Sequence, residues 1–553
     1  MLLLNTLRVL AVCALVVFTG CAGFVTPGGV SILALVLFLS LFSAGCRALL
    51  EPEEPSDTAL RLLLTGDPGA SGSGTCSNTV DYTKSFHFDT YDPGADGTGV
   101  TMSDNGSGMD STGYSATSSG DFNGDGLSDV AFSAPNYNSS TGRVYIVYGT
   151  SGLSNLNLGI LDKDDGIFIR GEALAMTQLG DAYHSVNFAG DVNGDGYDDL
   201  LIGNRNGNGG TGRTWLIFGT PDRSNIDLSM LSSSQGISIT GATAGGYLGQ
   251  STTGPGDMNG DGIDDIVIGE LRGATNQGRI YVYYGRRSGW SNITTASITG
   301  SDGFHISGEA AGDYLAETGS AGDINGDGIA DLIIGAATHN AMEGAGYVIY
   351  GQNGTGRADI ALSGLSGSDG YKLTGFGGTG SYWGAALGGL GDFNGDGVND
   401  TVIGATYSSG TGKVAVLFGN TGAVTMNALT ANQGFLLTGP ANSYAGKEAT
   451  GGGDLNGDGI NDLIVGAALA NTMDGQAWVI FGRSGHVDAN LTALADGVNG
   501  IQLDAKTGGS HELGHSLDFM ADFNGDFCDD LLITQSRNNY TGNVYVIYGG
   551  RAR

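Results

Sequence analysis

One phrase, Asp-x-Asn-Gly-Asp, occurs seven times, starting at Asp121, Asp191, Asp257, Asp323, Asp392, Asp454 and Asp522, at intervals of 70, 66, 66, 69, 62 and 68 residues. A period this even means that one supersecondary unit is copied along the chain, and that the copies must stack to bury a shared core. Each copy runs into an apolar segment such as "DVAFSAP", "DLLIGN", "DIVIGE" or "DLIIGAA", then a loop, then a second such as "GRVYIVYG" or "GNVYVIYG". A third ("GIFIRG", "GFHISG", "GFLLTG") lies between copies, and a fourth leads into each Asp-x-Asn-Gly-Asp loop. Val, Ile, Tyr and Phe bounded by Gly and Asp are strand chemistry. No long segment carries a helical period. Four short strands per copy, repeated radially, predict an all-β fold: a seven-bladed β-propeller with four-stranded blades. The last copy stops after "NVYVIYG" without its fourth strand, and a spare strand, "GVTMS" ending at Ser103, precedes the first. That strand is expected to complete the last blade and close the ring, which removes the open edge. An open solenoid is the competing arrangement.

The chain of 553 residues has 57 acidic against 23 basic residues, a formal charge of −34. This excludes a nucleic-acid partner and electrostatic docking on anionic lipid. Residues 1–46 read as an export segment. Two apolar runs end at "FTGC" (Cys21) and "LFSAGC" (Cys46), and both resemble the bacterial lipobox, in which the cysteine is lipidated. A plain signal peptide or an uncleaved anchor is the alternative, and either cysteine fits. Residues 47–95, rich in Pro, Gly, Ser and Asp, read as a tether, and 96–553 as the propeller. The expected location is the cell envelope or the extracellular space, on a lipid-anchored bacterial surface or the periplasmic face. Membrane contact is expected only through that N-terminal signal or lipid anchor. Of five cysteines, Cys76 and Cys528 lie beyond the export segment. They could pair outside the cell, although Cys528 sits in a slot that is apolar in the other six copies and reads as a small buried hydrophobe.

The loops carry the chemistry. In the fourth copy Asp323, Asn325, Asp327 and Asp331 fall at positions 1, 3, 5 and 9, and Ile329 at position 7 can offer its carbonyl. Alternate positions in a tight loop converge their oxygens, and hard oxygen ligands in this number suit Ca²⁺. The equivalent sets are Asp121, Asn123, Asp125, Leu127 and Asp129; Asp191, Asn193, Asp195, Tyr197 and Asp199; and Asp257, Asn259, Asp261, Ile263 and Asp265. They continue as Asp392, Asn394, Asp396, Val398 and Asp400; Asp454, Asn456, Asp458, Ile460 and Asp462; and Asp522, Asn524, Asp526, Cys528 and Asp530. An EF-hand would need Glu at position 12, where the fourth copy has Ile334, so these are nine-residue loops between strands. A metal-free Asx-turn is the bland reading. Up to seven structural Ca²⁺ are expected, which would bring the formal charge from −34 to −20. The seventh loop has Phe527 in place of the position-6 glycine, where a left-handed backbone is costly, and is expected to be the weakest site.

"DFNGDGLSDVAFSAP", "DINGDGIADLIIGAA" and "DLNGDGINDLIVGAA" resemble the FG-GAP repeat of integrin α-chain propellers and their bacterial relatives. The resemblance spans about residues 96–553. It implies a binding or cell-adhesion module, with recognition on one face and calcium loops on the other. The candidate recognition loops follow the "IGA" strands, at 136–141, 204–211, 338–344 and 535–541, and their plain reading is solvated turns. A protein or polysaccharide ligand is the expected partner.

"HELGH", residues 511–515, matches the zinc-protease signature, which works on a helix where two histidines share a face. In register with the repeats, Gly514 falls where Gly113, Gly249, Gly384 and Gly446 fall, eight residues before each loop. The register puts the motif on a strand, where residues four apart are roughly 13 Å apart, so it is read as a chance match. There is no Gly-x-Ser-x-Gly elbow and no P-loop. The expectation is a non-enzyme, the alternative an extracellular polysaccharide lyase or hydrolase on the same scaffold.

Overall fold

The computed structural model describes residues 98–103, 110–153, 155–172, 178–375, 380–505, 508–537 and 542–552, with 76, 78–80, 82, 86–88 and 93 before them. The export segment lies outside the described residues. So do 47–75 of the tether and 538–541 of the last recognition loop.

Among the described residues seven large sheets form, one per repeat, beside a small two-stranded sheet. In the first blade the strands are Ala116–Gly120 nearest the axis, then Asp129–Ala134, Arg143–Val147 and Gly166–Arg170. Successive strands pair antiparallel. The second strand is buried at every position, which is why it reads as an unbroken apolar run rather than an alternating one. Seven apolar clusters fill the ring; one, for example, joins Val402, Val414 and Val416 of the fifth blade to Leu463, Val465 and Trp478 of the sixth. Each blade therefore buries both faces only through its neighbours, and the ring is one cooperative core.

The seventh blade is built from both chain regions, as the spare-strand argument requires. Leu513–Met520, Asp530–Gln535 and Asn543–Ile547 come from the last repeat. Gly99–Ser103 completes the blade, running antiparallel to Asn543–Ile547 with Gly99 opposite Ile547 and Ser103 opposite Asn543.

Two features differ from the sequence reading. The sheets have five strands, not four. A two-residue strand from the link ahead of each fourth strand crosses over to pair, in parallel, with the outer strand of the preceding blade, as Ile226–Asp227 does with Ile169 and Arg170. The residue before it caps that edge: Asn225, Asn292, Asp359 and Asp488 accept from the amides of Phe168, Ser238, His305 and Leu436 at 2.8–3.0 Å. Two residues are too few to register as a strand in a one-dimensional pattern.

The propeller also begins earlier than residue 96. Phe86–His87 pairs with Leu503 and Asp504 as the fifth strand of the sixth blade, and Thr79–Val80 pairs with Arg551 and Ala552. Tyr82 is buried and its hydroxyl donates to the Leu455 carbonyl at 2.6 Å. Cys76 is disulfide-bonded to Cys528. Cys528 is thus both the buried residue its slot predicts and a disulfide partner, and the stretch read as tether becomes part of the fold from Cys76 onward.

Candidate functional site

Each loop is shaped by its own carboxylates. Asp323 Oδ1 accepts from the amides of Gly326 (2.7 Å) and Asp327 (3.1 Å), and its Oδ2 from Gly328 (2.7 Å). Asp327 Oδ1 accepts from Ile329 at 3.0 Å. Gly328 turns the chain at φ +84°, a left-handed value that costs glycine nothing. Asp331 is fully buried at the start of its strand, with Oδ1 taking the Gly351 amide (2.8 Å) and Oδ2 the Ile324 amide (3.1 Å). The Asx-turn bonding is therefore present. It accounts for the loop's path, but it does not use up the carboxylates, each of which has about four lone-pair positions.

All seven position-9 aspartates are fully buried. Burial removes their water and pushes their carboxyls up, Asp265 to about 8 and Asp331 and Asp400 to about 7; amide hydrogen bonds pull the other way, and the neighbouring loop carboxylates add repulsion. Asp199 Oδ2 and both side-chain atoms of Asn259 are buried without a hydrogen-bond partner. Among the described residues no three His, Cys, Asp or Glu side chains close around one point as they stand. The donor set nonetheless fits Ca²⁺: hard oxygens only, in a compact loop, with buried acceptor atoms left over in the second and third copies. The residues that would hold the ion are those at positions 1, 3, 5 and 9, with the position-7 carbonyl.

The loops are stitched into a girdle by a residue that the ligand pattern passes over, position 8. Asp198 Oδ2 accepts the amide of Asp121 in the preceding loop at 2.7 Å, and its own amide donates to the Asp121 carbonyl at 3.1 Å. Asp264 accepts from Asp191, Asn461 from Asp392 and Asp529 from Asp454 in the same way. Ser128 donates to the Asp522 carbonyl at 3.1 Å, joining the seventh loop to the first. Asp or Asn stands at position 8, just before the buried aspartate, in five of the seven copies and was visible in the sequence there; Ser128 and Ala330 hold the slot in the other two.

The inner strands start at the opposite end of the ring. There the turns after the second strands hold consecutive residues in the left-handed region, among them Asn340, Ala341 and Met342 (φ 49–67°) and Asn471, Thr472 and Met473 (φ 51–72°). The next blade docks on each turn: Tyr382 donates its amide to the Met342 carbonyl at 3.0 Å, and Glu512 to Met473 at 2.9 Å. Tyr247, Tyr314, Tyr382 and Tyr444 occupy this docking slot with φ of 51–59°, a conformation that bulky residues rarely adopt. Tyr407 meets Tyr382 and Tyr444 in tilted, edge-on contacts, with ring centroids 5.2 and 5.3 Å away, and is 47% exposed. The recognition loops 136–141, 204–211 and 338–344 lie at this end.

His511 and Glu512 lead into the strand Leu513–Met520, which contains Gly514 and His515, so HELGH enters and forms the inner strand that its register predicts. His515 is buried between the rings of Tyr114 and Tyr183, with centroids 4.7 and 4.6 Å away. At the axis, His184 of the second blade reaches Glu448 of the sixth at 2.7 Å and Glu317 of the fourth at 3.8 Å. Beneath it lies a cavity of 360 Å³ lined by residues of all seven blades, including Ser119, Asn187, Thr253, Thr318, Gly389, Thr450 and Asp518.

The FG-GAP repeat model matches residues 113–147, 185–217, 316–360 and 448–480, and an FG-GAP-like repeat model matches 257–334. The first four stretches each run from a blade's inner strand through its loop at least to the third strand, and the last runs from the third loop into the second strand of the fourth blade. The chain is an FG-GAP repeat propeller. It is 29% identical to integrin alpha pat-2 of Caenorhabditis elegans over 237 residues, 41% of this chain and 18% of that protein. It is 31% identical to integrin alpha-V of Gallus gallus over 238 residues, 41% of this chain and 20% of that protein. It is also 32% identical to phosphatidylinositol-glycan-specific phospholipase D of Bos taurus over 169 residues, 29% of this chain and 19% of that protein. The matched stretch covers a fifth or less of the length of each of these relatives.

Proposed function

We propose that this FG-GAP propeller is an exported, calcium-stabilised adhesion-type module that binds a protein partner on the face opposite the loop girdle. The carrying observation is the tyrosine row Tyr382–Tyr407–Tyr444: Tyr407 is half exposed, and the two rings it meets, Tyr382 and Tyr444, stand on left-handed backbone. Tyrosine among Ser, Gly and Asn is the composition of a protein-binding surface, because large rigid rings bury area at little entropic cost. Strain kept at a surface turn points the same way. The likeness to integrin alpha chains supports adhesion as the class of function. The Cys76–Cys528 bond supports an oxidising compartment. The buried position-9 aspartates and the partnerless atoms of Asp199 and Asn259 support calcium in the loops.

The test is capture of partners from the organism's own surface fraction by the calcium-loaded chain, with Tyr407→Ala/Tyr444→Ala beside it. Loss of a captured protein in this variant, and its retention in Asp327→Asn on the other face, is the expected result. Capture that ignores the tyrosines removes the face assignment. Retention of a glycan instead of a protein would transfer the reading to a polysaccharide ligand. An enzyme on the same scaffold is the alternative reading, and its support is the likeness to the phospholipase D.

A further inference from the structure

The seventh loop departs from the other six in three connected ways. Position 6 is Phe527 at φ +66°, where the others have glycine at +81° to +93°. Position 7 is Cys528, bonded to Cys76. The position-5 carboxylate, Asp526, takes the Cys528 amide on Oδ1 at 2.9 Å and the side-chain amide of Asn78 on Oδ2. Asn78 is itself anchored, its carbonyl accepting the Arg551 amide at 2.7 Å. A strap from the far end of the sequence therefore grips positions 5 and 7, on either side of the one residue whose backbone is strained. The left-handed region is disfavoured for an L side chain by roughly tenfold or more. A Cβ at the position-6 glycine of the other loops, such as Gly328, meets nothing within 4 Å, so the Phe527 ring has room and the cost is one of conformation alone. Phe527 is half exposed and packs too little to impose that conformation itself.

We propose that the seventh loop is a calcium site coupled to the Cys76–Cys528 bond, with Asn78 and Phe527 as the coupling residues. This rests on the calcium reading above. With the bond formed, the strap holds Phe527 left-handed, and Asp526 and the Cys528 carbonyl stay where an ion needs them. A dithiol reductant breaks the S–S bond, gives it two electrons and two protons to leave two thiols, and closes to its own disulfide. Phe527 then relaxes to negative φ and turns positions 5 and 7 away from the ion. Binding linkage is reciprocal, so calcium in this loop protects the bond from reduction by the same factor.

The experiment uses the full chain, oxidised and reduced, with Cys76→Ser and Phe527→Gly. Calcium alone is titrated calorimetrically, and reduction of Cys528 by dithiothreitol is followed by peptide mapping in calcium and in EGTA. On reduction or in Cys76→Ser, one site is expected to weaken about tenfold while six stay unchanged, and those six report that the fold is intact. Phe527→Gly should remove the redox dependence, since glycine needs no strap to turn left-handed. Calcium should slow and lessen Cys528 reduction in the wild type only. Seven sites indifferent to reduction, or a Phe527→Gly site still redox-dependent, would overturn the coupling and leave calcium binding intact. No calcium uptake at any loop would overturn both.

Discussion

Replacing His184 with Gln should destabilise the propeller at neutral pH and cost little at high pH. The imidazole sits at the axis with Glu448 at 2.7 Å and Glu317 at 3.8 Å, and its side chain is 21% exposed. Burial alone would drive its proton off, but Glu448, Glu317 and the nearby Asp518 more than reverse this and push it up to about 9, against 6.5 for a free imidazole. A group held protonated so far above its unfolded value contributes about 3 kcal/mol. The cavity below it admits water, so about 2–3 kcal/mol is the better expectation. The contribution is fully present below pH 6.5 and is lost as pH rises through about 9, because the folded state is the one that binds the extra proton. His184→Gln removes the charge and leaves two buried carboxylates facing each other. Its deficit should therefore be largest near pH 6–7 and vanish by about pH 10, where the wild-type imidazole is neutral too. Urea midpoints of both proteins, measured from pH 6 to 10 in excess calcium, give this difference. Taking the difference cancels titrating groups that do not couple to His184; Asp518, which does, is pushed up to about 6 and titrates at the low edge of the range. A deficit that does not change with pH, or no deficit at all, would refute the axial ion pair as drawn.

Chelation should lower the melting temperature by many degrees, since binding to the folded state alone stabilises by mass action, and Asp331→Asn should lose one bound ion with part of that effect. Calorimetric scans in calcium and in EGTA check this, and superimposable curves would end the structural-calcium reading. Two glycines separate strain from collision. Gly328→Ala adds a methyl that meets nothing within 4 Å at φ +84° and should cost about 1 kcal/mol. At Gly344 the added carbon would lie 2.1 Å from the Trp383 carbonyl oxygen of the next blade, and that variant should fail to close the ring, as urea unfolding and gel filtration would report.

Seven copies of one loop, each followed by a mostly apolar strand, were enough to set the blade count, the ring and its closure by Gly99–Ser103. Those properties repeat within about seventy residues, and a pattern that local is carried by strand propensity, glycine turns and the alternation of Asp with Gly. The loop side chains were legible for the same reason: the bonds that the position-1 and position-5 aspartates make to their own loop run between residues at most five apart, as from Gly328 to Asp323. The fifth strands were not legible, because two residues carry no period and their partner belongs to another blade. Nor was the axial cluster, since His184, Glu317 and Glu448 lie in three different repeats and meet only because a closed ring turns every inner strand toward one axis. The strap is the clearest case. Composition marks residues 47–95 as an unstructured link, yet Cys76, Asn78 and Tyr82 find partners more than 370 residues away, at Cys528, Asp526 and Leu455. Local chemistry chose the blade; only closing the ring, which brings the chain's two distant regions to one place, could choose the bond that ties it.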